Sequence, residues 1–138
     1  MTDETKLNGL TLLKKGETRY PISPDEAKLE TFENANSQRN YWIQFQTSEF
    51  TSLCPITGQP DFATITIDYI PGKRCVESKS LKLYLFSFRQ IGTFYEEIVN
   101  RIYTDLFNQL QPKRLIVHGA FTARGGITSS VKIDSEEA

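Results

Sequence analysis

The stretch SKSLKLYLFSFRQIGTFYEEIVNRIYTDLFNQL, residues 78–110, decides the fold. Its second half has one period. Phe94, Ile98, Ile102, Leu106 and Leu110 recur at every fourth position, the apolar stripe of an amphipathic helix. Thr93 followed by Glu96 has the spacing of a capping box, and Pro112 closes the far end. The first half carries two periods at once. Leu81, Leu83 and Leu85 suit one face of a strand, whereas Leu81, Tyr84, Leu85 and Phe88 have the i, i+3, i+4, i+7 spacing of a helix. Ser78 or Ser80 is available as an N-cap and no signal on the strand side matches it, so a helix is expected over 81–88.

On either side of these helices the period falls to two. Tyr41, Ile43 and Phe45 alternate with polar Gln44 and Gln46 as a half-buried strand does. A loop over Thr51–Pro60, with Pro55, Gly58 and Pro60, leads to a second strand. There Ala63, Ile65, Ile67 and Tyr69 alternate with Thr64, Thr66 and Asp68 before the Pro71-Gly72 stop. Beyond the helices, Leu115, Val117 and Phe121 mark a third strand, Arg124-Gly125-Gly126 a turn, and Ile127–Val131 a fourth strand. The order β-β-α-α-β-β predicts an α+β layer: an antiparallel four-stranded sheet with two helices on one face. Such a sheet has open edges, which a small protein hides by oligomerising or by other protection. Residues 41–131 form the expected single domain. Residues 1–40, broken by Gly9, Gly16, Pro21 and Pro24, read as a partly ordered arm. One short helix is expected there over Pro24–Phe32, capped by Ser23. Residues 132–138 read as a frayed tail.

Composition narrows the function. With 138 residues, 16 Lys+Arg against 17 Asp+Glu and a formal charge of −1, the chain has no basic footprint for coating nucleic acid. No apolar run approaches the ~20 residues of a membrane span, and the polar start MTDETK is no signal peptide. Two cysteines make no disulfide framework, so a reducing, cytoplasmic setting is expected. The lone His118 excludes sites built from several histidines of one chain.

Cysteine or carboxylate chemistry is left. Cys54 lies in a proline-braced loop between strands, where a thiol can be presented rigidly or can simply pack. Asp61, seven positions on, is a candidate acid/base partner or merely a strand start. Cys54, Cys75 and His118 supply the three ligands of an open zinc site, without CxxC or HxxxH spacing to support it. Lys79 and Lys82 share a helix face near its N-terminus, a place that favours phosphate, and equally describe a solvated lysine face. Arg124-Gly125-Gly126 permits close approach to a ligand, or is only a hairpin turn. Glu96 has its capping box as a competing role. No GxGxxG, P-loop or GxSxG motif is present.

The run VESKSLKLYLFSFR, Val76–Arg89, resembles the signature of the NADPH-dependent 7-cyano-7-deazaguanine reductases, the nitrile reductases of queuosine biosynthesis in tRNA modification. Three further stretches match that family's order and spacing: Cys54-Pro55-x-Thr57-Gly58-Gln59-Pro60-Asp61, Gly92-x-Phe94-x-Glu96, and Phe121-Thr122-x-Arg124-Gly125-Gly126-Ile127. The similarity runs from about Gln44 to Val131. It implies a tunnelling fold, whose β-β-α-α-β-β subunits close edge to edge into a multi-subunit barrel. It further implies a homo-oligomer, a pentamer-based decamer, with active sites at subunit interfaces. Carried over, Cys54 is the nucleophile that forms a covalent thioimide, and Asp61 is the proton donor. Val76, Glu77, Ser78, Tyr95 and Glu96 bind substrate, with Tyr95 standing where the family usually has His. NADPH is the implied cofactor, two per turnover, with no metal, no direct nucleic-acid contact and no membrane. Lys79, Lys82, Arg124 and Gly125 are candidates for its phosphates on charge and glycine flanking. Zinc-dependent cyclohydrolases belong to the same superfamily, which keeps a purine or pterin cyclohydrolase using Cys54, Cys75 and His118 as the alternative.

Overall fold

A computed structural model describes residues 20–138. Four long strands form one antiparallel sheet in the order β2-β3-β5-β6: β2 Ile43–Leu53, β3 Pro60–Ile70, β5 Arg114–Arg124 and β6 Ile127–Asp134. Short β1 (Thr31–Glu33) and β4 (Arg74–Val76) pair with each other as a separate two-stranded sheet. Between the two hairpins lie α1 (Ser78–Phe86), a 3-10 turn (Ser87–Gln90) and α2 (Tyr95–Leu110). The expected α+β order is therefore present, with β1 and β4 added. Three-residue strands carry too little alternation to be read from sequence.

The core lies between the helices and one face of the sheet. Ile65, Ile67 and Tyr69 of β3 and Leu115, Val117 and Phe121 of β5 meet Ile98, Ile102, Leu106 and Leu110 of α2, all but fully buried. Leu81, Tyr84 and Phe88 close the layer from the α1 side. Each such side chain contributes about 1.5–3 kcal/mol through burial. Gly119 packs tightly under α2: a Cβ built there would stand 2.8 Å from Val99 Cγ2 and 3.1 Å from the Phe121 ring. Gly119→Ala is therefore expected to overpack the layer and cost about 1–3 kcal/mol, read as a lowered urea midpoint.

Several local expectations are corrected. No helix forms over Pro24–Phe32. Ser23 O accepts from the N–H groups of Glu26 and Ala27 in a single turn, and the chain then runs extended into β1. The part of the expected arm before residue 20 lies outside the described residues. The cap of α1 is Glu77, not Ser78 or Ser80: its carboxylate accepts from the Lys79 and Ser80 amides. An acid reaches two free N–H groups at the positive helix end, where a serine hydroxyl reaches one. The Thr93–Glu96 capping box does not form. Helix α2 has Phe94 as N-cap with no side-chain bond, and Thr93 donates to Glu97 at 2.9 Å instead. Phe94, first in the predicted stripe, is consequently half exposed. The sheet also runs further than read, through Leu53, from Pro60, and to Asp134 in place of a frayed tail. Asp134 is held by Arg114 at 2.8 Å, and Ser135 N–H donates to Leu115 O.

Two irregularities position the site. The β2–β3 register slips between Thr47 and Phe50, so β2 gains one residue. Ile43, Phe45 and Thr47 face the helices before the slip, and Phe50 and Ser52 after it. The β5–β6 register slips likewise between Phe121 and Arg124. Bulges of this kind re-aim side chains beside functional sites. Here both act at the end of β3 that holds Asp61.

Candidate active site

The loop that carries Cys54 is six residues long, between Leu53 and Pro60. Cys54 N–H donates to Gln59 O at 2.8 Å, and Gly58, at φ 72°, returns its N–H to Cys54 O at 2.9 Å. The left-handed conformation at Gly58 is the one a residue with a side chain adopts poorly. From outside, Leu53 is pinned by Ile91 O and the Thr93 amide, in a short parallel bridge to Gly92. A Cβ on Gly92 would lie 3.4 Å from Pro55 Cα, so the loop rests directly on the backbone leading into α2. Thiol loop and helix start are thereby one rigid unit.

The Cys54 sulfur is half-buried and accepts the Thr57 amide at 3.5 Å. Hydrogen bonding by Thr57, with the amides of Thr57 and Ile56, favours the thiolate and lowers the thiol below its ordinary range. The nearby Asp61 charge opposes this without cancelling it. Cys75 has the contrary environment. It is buried on β4 near Tyr41, and burial pushes its thiol up.

Asp61 is almost completely buried and holds its oxygens in a fixed pose. Arg124 lies 2.6 Å from Asp61 Oδ1 and also donates to Gln59 Oε1 at 2.9 Å and Pro60 O at 2.6 Å. Tyr95 OH donates to the same Oδ1 at 3.2 Å while its ring stacks on Phe121, centroids 4.1 Å apart. Burial first, then the Asp61 charge, raises the Tyr95 phenol, which stays protonated as a donor. The fork of Arg124 is thus spent within the chain. Gly125 and Gly126, at φ 58° and 78°, make the two-residue hairpin turn that leads into β6.

Cys54, Asp61, Tyr95, Glu96 and Arg124 line one cleft of about 400 Å³, with Phe94 and Thr93 at its side. That volume suits a small heterocycle. Glu96 is exposed and has no capping box to serve. The other predicted ligands of the base are elsewhere. Val76 is buried with its N–H on Tyr69 OH, and Glu77 is consumed as the α1 cap. Ser78 and Lys82 line a second hollow, between β2 and α1, with Arg89 and Phe86. Lys79 stands beside them on α1.

The ligands of the zinc alternative are not brought together within the chain. Cys54 is in the cleft, Cys75 is buried within the small sheet on β4, and His118 lies on the sheet face away from the helices, opposite Thr66 and Lys132. Among the described residues no three His, Cys, Asp or Glu side chains cluster as metal ligands. Sequence reasoning missed Thr57 as a partner of the Cys54 sulfur, Phe121 as the ring beneath Tyr95, and Ser52 as the cross-strand neighbour of Asp61. For Ser52 a signal exists: the apolar parity of β2 changes from odd (Ile43, Phe45) to even (Phe50), which is the mark of a bulge.

The family model described as QueF-like protein matches residues 60–138. The NADPH-dependent 7-cyano-7-deazaguanine reductase of Streptococcus mutans is 54% identical over 125 residues, covering 91% of this chain and 77% of that protein. Its namesake from Parabacteroides distasonis is 54% identical over 126 residues, covering 91% and 80%. That of Neisseria meningitidis serogroup C is 54% identical over 122 residues, covering 88% and 78%. In three dimensions the chain superimposes on the archaeosine synthase QueF-Like in its apo form with a TM-score of 0.63, over 67% of this chain and 91% of the other. At 19% identity that likeness speaks for the fold alone. With a thiol, a buried acid and a free carboxylate in one cleft, and such relatives along nine-tenths of its length, the chain belongs to the QueF-like family of the 7-cyano-7-deazaguanine reductases.

Proposed function

We propose that the chain reduces the nitrile of 7-cyano-7-deazaguanine to 7-aminomethyl-7-deazaguanine with NADPH, in the cytoplasm, through a thioimide on Cys54. One observation carries the mechanism: the acidified Cys54 thiol and the buried Asp61 carboxyl line the same cleft. The Cys54 thiolate attacks the nitrile carbon, and a carbon–sulfur bond forms as one π pair moves to nitrogen. That nitrogen takes the Asp61 proton, leaving a carboxylate between Arg124 and Tyr95. Covalent capture divides one difficult reduction into easier steps. NADPH, when bound, supplies the hydrides, two per turnover. No metal is needed. Glu96 accepts from ring N–H groups of the base. Tyr95 we assign to Asp61 rather than to the base, because its phenol and ring are already occupied.

Lys79 and Lys82 are the better candidates for the cofactor phosphates, since the guanidinium of Arg124 has three partners of its own. Their hollow and the Cys54 cleft are separate features of one chain. We therefore place Val76, Glu77 and Ser78 of a neighbouring copy across the cleft, in a homo-oligomer that joins the open edges β2 and β6 into a barrel. Exposed Ile56, Phe62, Phe94 and Ile127, sequence neighbours of the cleft residues, give such a copy an apolar seat. The test is stoichiometry. Purified protein should oxidise two NADPH per aminomethyl product formed; a product made without NADPH oxidation, or a chelator-sensitive ring opening, would refute the reading.

A further inference from the structure

Among the described residues, Ser52 Oγ is the one buried side-chain oxygen or nitrogen without a hydrogen-bond partner. The residue is fully buried, so the hydroxyl is not satisfied by bulk water, and a fold retains such a group at a cost. Its place is informative. Ser52 is the direct cross-strand partner of Asp61, and directly opposed residues point to one face with Cβ atoms about 4.5–5.5 Å apart. Without the β2 bulge, Ser52 would face the opposite side of the sheet. The bulge in β5 brings Arg124 to the other flank of Asp61, where it makes its 2.6 Å ion pair. Asp61 is thus flanked on both neighbouring strands by residues that bulges re-aim, one bonded to it and one idle.

We propose that Ser52 is a positioning residue for proton transfer, whose idle hydroxyl turns to Asp61 when the acid gives up its proton. The inference rests on the reductase reading and on Asp61 as donor. The charged and titratable groups that face Asp61 are Arg124 from β5, Tyr95 from α2 and Cys54 from the loop. Arg124 and Tyr95 both bond Oδ1 and neither bonds Oδ2, so on the donor reading Oδ2 is the oxygen that holds the transferable proton. When that proton passes to the substrate nitrogen, Oδ2 becomes an anionic oxygen in a cleft closed by substrate. A hydroxyl accepts from the acid and donates to the carboxylate, whereas a guanidinium only donates. Because Ser52 has no bond to break, its rotation stabilises the carboxylate as it forms. No proton leaves Ser52.

Ser52→Ala removes the hydroxyl, and three readings on purified protein, beside wild type, decide the matter. A spare hydroxyl predicts a Tm at or above wild type. Loss of a hydrogen bond to a forming charge predicts kcat down about 10- to 100-fold. A weaker acid predicts that the descending, high-pH limb of the rate profile moves to higher pH. Ser52→Thr, which keeps a hydroxyl, should recover most of the rate and the wild-type limb. A Ser52→Ala protein with wild-type kcat and pH profile would overturn the inference while leaving the reductase reading intact. So would a Tm lowered by several degrees, which would make the hydroxyl a structural partner. Wild-type protein that turns over no nitrile would instead remove the reading beneath it.

Discussion

Cys54→Ala protein is expected to bind 7-cyano-7-deazaguanine and to turn over none of it, with kcat reduced by 10⁴-fold or more, as when a covalent nucleophile is deleted. The two halves of this result have different causes. Binding survives because Glu96 and the walls of the cleft do not depend on sulfur: the loop is held by Leu53, Gly58 and Gln59 backbone bonds that alanine leaves in place. Turnover fails because a nitrile carbon is a poor hydride acceptor until a thiolate has added to it. Calorimetric titration and an NADPH-oxidation assay read the halves separately. Residual turnover above about one per cent of wild type would rule out the covalent route. The same substitution at Cys75 serves as control, since that thiol is buried away from the cleft and raised by burial.

Asp61→Asn separates the acid from the nucleophile by moving two observables in opposite directions. An amide cannot hand over a proton, so kcat is expected to fall about 10²- to 10⁴-fold. Whenever Asp61 is ionised its charge works against the Cys54 thiolate, so a neutral amide in its place leaves a more acidic thiol. Alkylation of Cys54 by iodoacetamide, followed against pH, should therefore set in at lower pH in the variant than in wild type. The fold should stand, because Arg124 is 37% exposed and keeps Gln59 and Pro60 as acceptors. A variant whose alkylation moves to higher pH would make Asp61 the base that activates Cys54 rather than the donor to substrate.

Periodicity made the layer legible. The fourfold stripe of α2 and the alternation of β3 and β5 survive into the structure because they are long and face a single core. The ambiguous run at 81–88 resolved to helix, though by a cap that spacing did not reveal. What was lost was lost where one residue had two eligible roles. Thr93 and Glu96 had the spacing of a capping box, yet the helix begins a residue later and Thr93 takes Glu97, which leaves Glu96 to the cleft. Arg124 had the charge of a phosphate ligand, and a bulge turns it onto Asp61. The thiol and the acid were visible as candidates, seven positions apart across a hairpin. The hydrogen bonds that set their reactivity depend on Gly58, on the Gly92 contact and on strand register, which are three-dimensional facts.

The thioimide itself is the central claim, and the intact mass of the protein incubated with 7-cyano-7-deazaguanine in the absence of NADPH tests it most directly. The account predicts an added mass equal to one whole substrate molecule per chain, since attack on a nitrile expels nothing, and no such addition on Cys54→Ala. Unmodified wild-type protein, under conditions where calorimetry shows the substrate bound, would contradict it.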